Sequence, residues 1–453
     1  MTTNNTQEEL FHTVSQLNKL LELYGTILEA AQYGDSKQSE RKPMLDLMQT
    51  GMEQFTLQLS TLFPKERSIL DLHLTSALQT MISPSESLVS VASSWYMKPI
   101  QTIFSQLFQL LNSYQQLEQQ VVDQIYLLLS SPNNCLSVET KAQLLFKTAC
   151  ICGQWAPELS FQCMMEAFRL YPTLTTQYEK HCPHLKNYCY KPNNNAQLEL
   201  TSCPICGGTG HPYLNACSCF ISTFNDSFLP AKFWMQCDHC SNLYTRYFPE
   251  SFFQLGQTPV VLQPDFTRMT TKSVSQINIA TWGTILNTIS HYTTGKKLLE
   301  VGVGEGLLIA AALEMGYDVT AVELLESVAQ ETATLLQHPI VCGDFLHFES
   351  QEAFSIITMG DVLEHLRYPV DGIKKAHSLL KDGGILWLST PNYQSGYARF
   401  YKAEDVMWRE PYHVTYFSRE GLLPFLEDAG FELLQYTIST RYVDSMELIL
   451  RKI

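Results

Sequence analysis

The stretch Lys297 to Glu323, KLLEVGVGEGLLIAAALEMGYDVTAVE, constrains what this chain can fold into more than any other. It opens with the apolar pair Leu298-Leu299, a run short enough for a buried strand. A glycine loop follows, Glu300-Val301-Gly302-Val303-Gly304-Glu305-Gly306, and then an apolar helix from Leu307 to Leu313 that Gly316 stops. A second strand, Val319 to Val322, ends at Glu323. This is a βαβ unit with tight glycines at its first turn and a carboxylate about twenty residues on. Glycines let the main chain approach a ligand closely, and a carboxylate at the tip of the second strand can accept both hydroxyls of a ribose. The unit therefore suits an adenosine-type cofactor, although a glycine turn after a strand also occurs in α/β proteins that bind nothing there.

At 453 residues the chain has room for two to four domains. Hydrophobic residues make up 45% and charged residues 17%, the balance of a soluble globular protein. No run of eighteen apolar residues is present, so no membrane span is expected. The opening MTTNNTQEELFHTV lacks the basic end and apolar core of a signal peptide. A net charge of −15 disfavours broad binding to nucleic acid, leaving only a local basic patch for such a role. Thirteen cysteines without a secretion signal imply reduced thiols or metal ligands and a cytoplasmic protein.

Residues 1–190 read as an all-α domain, a bundle or a tetratricopeptide-like pair. Leu10, Val14, Leu17, Leu20, Leu21, Tyr24, Ile27 and Leu28 recur at helical spacing, and Ile103 to Leu129 repeats the pattern. Ser83-Pro84 and Ser131-Pro132-Asn133-Asn134 punctuate the helices. Val138 to Tyr171 reads as a helix pair broken near Gly153 to Pro157. Its ending resembles that of a tetratricopeptide repeat, but no second copy follows at a period of about 34 residues. With no catalytic-type cluster in it, this third is expected to serve docking to a protein partner or self-association. Lys191-Pro192-Asn193-Asn194-Asn195 is a turn-rich boundary.

Two Cys-x-x-Cys turns come next, Cys203/Cys206 and Cys237/Cys240. Each brings two thiolates to one side of a bend, the arrangement of a tetrahedral Zn²⁺ site, and four thiolates leave no open position, so the expected zinc is structural. A redox pair or unrelated buried cysteines is the competing reading. Cys217, Cys219 and His239 lie nearby and remain open as alternative ligands. A small ribbon over 200–255 is expected, with Phe233, Trp234, Tyr244, Tyr247, Phe252 and Phe253 as its packing.

The loop reads E-x-G-x-G-x-G, and with the acidic strand end it resembles motif I of class I S-adenosylmethionine-dependent methyltransferases. The resemblance covers residues 271–453 and implies a seven-stranded Rossmann-like α/β sheet, with an amphipathic helix over Thr271–Tyr292 leading in. It implies cofactor contacts from Glu300, Gly302, Gly304, Gly306 and Glu323. Asp344 would accept a hydrogen bond from the adenine amino group, with Phe345 or Leu346 packing on the ring. The strand end at Gly360-Asp361 would lie over the methionine part. Leu363-Glu364-His365 is similar to the "LEH" segment of ubiquinone-pathway O-methyltransferases. There Glu364 and His365 act either in catalysis or as a cap on the next helix. A zinc module just before such a domain resembles an arrangement in several bacterial methyltransferases, some acting on nucleotide-linked sugars.

Tyr393 to Phe417 is an insertion rich in aromatics: Tyr397, Phe400, Tyr401, Trp408, Tyr412, Tyr416 and Phe417, with His413 among them. It reads as a lid that excludes water from a sulfonium, or as a loop packed on the ribbon or the helical domain. The implied reaction is in-line displacement at a methyl carbon, with His413 and then His365 the best candidates for a base. A small-molecule acceptor (sugar, lipid-linked or aromatic) is the leading expectation. A protein or RNA acceptor recruited by the ribbon or helices, and a cofactor-binding protein without turnover, are the alternatives.

Overall fold

The computed structural model describes residues 3–36, 41–62, 67–81, 87–88, 123, 125–127, 137–176, 180, 182–192, 197–254, 279–401, 405–442 and 444–453. Two compact units divide at Lys191/Pro192.

In the first unit, α1 (Thr3–Ser36) packs on α2 (Arg41–Leu62), followed by α3 (Arg67–Met81). Val14, Leu20, Tyr24 and Ile27 of α1 are buried, as their helical spacing requires. Tyr24 meets Phe55 edge-on at 6.5 Å. Gly51 lets the helices close up, since a Cβ there would lie 2.7 Å from Ile27. The 138–171 pair forms as α4 (Val138–Cys152) and α5 (Pro157–Leu170). Ser137 caps α4 by accepting from Thr140 N (3.1 Å), and Pro157 starts α5 where its missing N–H costs nothing. Phe146 and Phe168 pack edge-to-face between them. Most of the Ile103–Leu129 stretch, the two turns beside it and most of the 191–195 boundary lie outside the described residues.

Among the described residues, the second unit carries three sheets. The short strands β1 (Gln197–Glu199) and β5 (Tyr247–Pro249) pair antiparallel. β2 (Gly210–Cys217), β3 (Ala231–Cys237) and β4 (Leu243–Thr245) form an antiparallel ribbon sheet. Its fourth strand arrives from far along the chain: β11 (Thr415–Tyr416) pairs with β4.

The large sheet has the order β12-β13-β10-β9-β6-β7-β8. Its strands are β6 (Lys297–Val301), β7 (Asp318–Glu323), β8 (Val341–Cys342), β9 (Phe354–Gly360), β10 (Leu380–Pro391), β12 (Phe431–Ile438) and β13 (Ser445–Lys452). The first five run parallel, and β13 inserts antiparallel between β10 and β12. Consecutive residues feed opposite faces, as strand geometry demands. Leu299 and Ile357 join one core with Ile373 and Ala376 of α9 (Pro369–Leu379) and Leu422 and Leu426 of α11 (Arg419–Asp428). Leu298 and Ile356 join the other with Leu286 of α6 (Ile279–Ser290), Ile309 of α7 (Leu307–Glu314) and Val328 of α8 (Glu326–Leu336). Both faces are covered, which is why these strands read as unbroken apolar runs. The described part of the lead-in helix is α6; residues 271–278 lie outside it.

Candidate functional site

The ends of β6, β7, β9 and β10 form one crest, and the crossover between β6 and β9 opens a crevice there, the usual ligand position in an open α/β sheet. Gly302, Gly304 and Gly306 all have positive φ (75°, 49° and 74°), so the loop needs glycine at alternate positions. A Cβ on Gly302 would meet Val362 at 2.8 Å and one on Gly306 would meet Thr332 at 2.6 Å, whereas over Gly304 there is open space. Glu323 binds this loop: its carboxylate accepts from Val303 N (3.0 Å) and Leu325 N (2.9 Å). Glu300, at the end of β6, is buried with Oε2 lacking any hydrogen-bond partner. Burial, and then the neighbouring Glu323, push its carboxyl well above the ordinary range.

Asp344 sits after β8 and accepts from Leu346 N (2.9 Å) and faces His347 Nδ1 (3.1 Å). The Phe345 side chain is buried in the core beneath the sheet, and Leu346 is the half-buried neighbour packed against it.

Gly360 ends β9 beneath Trp387, and Asp361 follows with φ 56°, a left-handed conformation that a non-glycine residue holds only when its surroundings enforce it. They do: Asp361 N donates to Ser389 O (2.9 Å), Oδ1 accepts from Ser389 Oγ (3.0 Å) and Oδ2 pairs with Arg441 (2.9 Å). Arg441 also pairs with Glu447 (3.4 Å), donates to Ser389 Oγ (2.6 Å) and stacks on Trp282 and Trp387 at 4.6 and 5.0 Å. It is the crest residue that sequence reasoning missed. A single arginine in Ser439-Thr440-Arg441-Tyr442 carries no signal until β13 is inserted beside β10.

Glu364 is not a helix cap: α9 has no side-chain cap hydrogen bond, and Glu364 Oε2 accepts instead from Thr390 Oγ1 (3.0 Å). Oε1 has no partner, and the residue is 1% exposed. Burial and then Asp361 raise its carboxyl well above the ordinary range. One atom each of Glu364, His365 and His413 lie within 4.8 Å of one another, and the imidazoles meet at 4.8 Å between ring centres. His365 Nδ1 faces the Tyr412 carbonyl (3.2 Å), which leaves Nε2 as its acceptor nitrogen, and His413 Nδ1 has no partner. Burial lowers His365 to about 4 and drives His413 well below its usual value, so both rings are neutral at pH 7.

The aromatic insertion divides in two. Trp408 and Tyr416 are buried with Leu214, Trp234 and Tyr393 in the ribbon's own core, and Phe417 lies in the core beneath the large sheet. Trp408 and Tyr416 thus take the second of the two readings, packing on the ribbon, and Phe417 is interior: Trp234 Nε1 donates to Trp408 O (2.9 Å), and burial of the indole demands such a partner. The helix α10 (Gly396–Tyr401) keeps Phe400 and Tyr401 exposed, with Tyr397 and Tyr401 stacked at 4.4 Å. Tyr416 Oη lies 3.0 Å from Asp444 Oδ2 and 3.4 Å from Asp405 Oδ2. Both aspartates are buried, and burial followed by Asp405 pushes Asp444 up to about 7.

In the ribbon, Cys203 and Cys240 sulfurs lie 3.7 Å apart and Cys206 and Cys237 sulfurs 3.4 Å apart, with all four sulfurs within 4.8 Å. Zn–S bonds of about 2.3 Å in a tetrahedron place sulfurs about 3.8 Å apart, so the donor set fits zinc. Gly207 turns the chain with φ 73°, and a Cβ on Gly208 would press on two of the sulfurs at 3.3 Å. Among the described residues, Cys217, Cys219 and His239 are not in this group.

A family model described as a methyltransferase domain matches residues 279–436. A ubiquinone biosynthesis O-methyltransferase of Xanthomonas campestris pv. campestris (strain B100) is 36% identical over 105 residues, 22% of this chain and 44% of that protein. One from Haemophilus ducreyi is 31% identical over 112 residues, 22% of this chain and 46% of that protein. A solved S-adenosylmethionine-dependent methyltransferase from Clostridium acetobutylicum aligns with TM-score 0.34 and 11% identity, over 42% of this chain and 98% of that one. The chain thus spans less than half the length of these curated relatives. The seven-stranded order with its antiparallel last pair, the glycine loop and the matched segment agree on a methyltransferase domain over residues 279–436 of this chain.

Proposed function

We propose that this protein transfers a methyl group from S-adenosylmethionine to a small-molecule acceptor. The observation that carries the reading is the buried Glu364–His365–His413 cluster, where two orphaned polar atoms converge at the end of β9 beside the glycine loop's strand. The curated relatives named above are O-methyltransferases of ubiquinone biosynthesis, which favours a hydroxyl acceptor.

The crevice fits an S-adenosyl nucleoside. The open space over Gly304 and the unpartnered Glu300 Oε2 are what a ligand above bare main chain would use. Glu323 and Asp344 would hold the ribose and the adenine edge, and Gly360 and Asp361 would face the amino-acid end. When bound, the sulfonium supplies an activated methyl carbon. His413 or His365, neutral and with an open ring nitrogen, takes the proton that the acceptor loses. Glu364, held as the neutral acid by burial, offers its unpartnered Oε1 as a hydrogen-bond acceptor to the imidazolium, so the proton stays on the ring. Burial keeps water from competing.

We read Zn²⁺ on Cys203, Cys206, Cys237 and Cys240 as structural, the thiolates staying reduced in the cytoplasm. The organisation we favour is a helical domain at 1–190 that binds a protein partner or a second copy, a ribbon at 200–255 and the transferase at 271–453. The test is to incubate the purified protein with methyl-labelled S-adenosylmethionine and fractionated cell extract. Label should enter the small-molecule fraction; label in polymer alone, or no affinity for S-adenosylhomocysteine by calorimetry, overturns the reading.

A further inference from the structure

Lys232 lies on β3 of the ribbon and is 4% exposed. Among the described residues it forms no salt bridge. A buried ammonium without a carboxylate in contact costs several kcal/mol, so its hydrogen bonds must hold something the fold needs. Its Nζ donates to Pro411 O (3.0 Å) and to His413 O, and it sits over the rings of Trp234 and Phe248 at 5.0 and 5.3 Å. The carbonyl between those two, that of Tyr412, takes His365 Nδ1 (3.2 Å). Three consecutive carbonyls thus alternate between the lysine and a histidine. The Pro411–His413 corner is neither helix nor strand, and without Lys232 two of its carbonyls would be buried unpaired.

We propose that Lys232, delivered by the ribbon, is the positioning residue for the His365/His413 pair, fixing the place of the rings and adding a positive charge beside them. This rests on the reading of those histidines as proton acceptors. The corner is anchored on either side. Glu410 accepts from Thr223 Oγ1 (3.0 Å) and Tyr412 N (3.3 Å), and Val414 N donates to Glu364 O (2.8 Å) while its carbonyl accepts from Thr245 N of β4 (2.9 Å). The groups facing the histidines are Glu364, each other and Lys232. A positive charge there opposes protonation of both rings. Lys232 is itself lowered to about 7 by burial, with Glu410 acting the other way. The ribbon is on this account part of the active site, since it supplies a cation at the histidine corner.

The experiment uses the full chain with ring-labelled histidine and NMR. His413 and His365 are assigned by difference from His413→Ala and His365→Ala. In the native protein both rings stay neutral at pH 7, with His365 titrating at about 4. In Lys232→Met their titration should move up by about one pH unit and their signals should broaden, with zinc content and S-adenosylhomocysteine affinity unchanged. If the Met variant does not fold, Lys232→Gln keeps a donor for one carbonyl, drops the charge and should show the same upward shift. Histidine signals that titrate as in the native protein in the folded variant overturn the proposal. Loss of S-adenosylhomocysteine binding by the native protein would sink the methyl-transfer reading instead, and calorimetry reads that separately.

Discussion

The two sides of the crest are built differently. The side around β6 and β7 is made within one short segment: three glycines in left-handed conformations and a carboxylate twenty residues on that binds the loop itself. The side beyond β9 is assembled from segments far apart: Lys232 from the ribbon, Glu364 and His365 after β9, Asp405 to Tyr416 from the insertion, Arg441 and Asp444 before β13. The first needs bare main chain near a nucleoside, which local turns can supply. The second needs titratable groups held dry, which only tertiary packing can supply. Cofactor binding and proton handling should therefore fail separately.

The largest expected effect is on the assembled side. His413→Ala should lower methyl transfer about 100-fold or more, the typical worth of a positioned base, with S-adenosylhomocysteine affinity unchanged by calorimetry. Equal loss of both would erase the division drawn above. Cys237→Ser should remove zinc by elemental analysis and, by loosening the corner that the ribbon clamps, slow transfer roughly 10- to 100-fold at saturating cofactor. Retention of full rate without zinc would make the ribbon a bystander. On the local side, Glu323→Ala should weaken the cofactor about 10- to 30-fold, as loss of charge-assisted hydrogen bonds predicts, while the saturated rate changes little. The smallest effect concerns Asp444. Its carboxyl is raised in the folded chain, so the stability tied to its protonated form is complete below pH 4 and is lost as pH rises through about 7. Relative to the native protein, Asp444→Asn should therefore gain on the order of 1 kcal/mol between pH 5 and pH 8, read as a few degrees in Tm. A constant gap across that range would mean that the carboxyl titrates normally.

Much of the transferase sheet is legible in the amino-acid sequence. Leu298-Leu299, Val319 to Val322 and Ile385 to Ser389 are apolar on both faces because helices cover both, and the turns between them carry glycine where φ is positive. The two Cys-x-x-Cys turns were legible for the same local reason. Which of Phe345 and Leu346 turns toward the core was not legible, because position after a strand does not reveal which way a side chain turns. For Trp408, Tyr416 and Phe417 lid and packed loop could not be told apart, because aromatic density looks alike in a mobile cover and in a buried core.

What the residues alone determined is the part written in short-range code, where spacing dictates backbone geometry: the strand–glycine–helix unit, the cysteine bends, the apolar periods. The tertiary structure decided what depends on bringing distant chain together: β11 completing the ribbon, Lys232 holding the corner at His413, Arg441 bound to Asp361. Each of those partners is polar and buried. A buried polar atom takes its meaning from whichever atom lies about 3 Å away, and no period in the sequence encodes that.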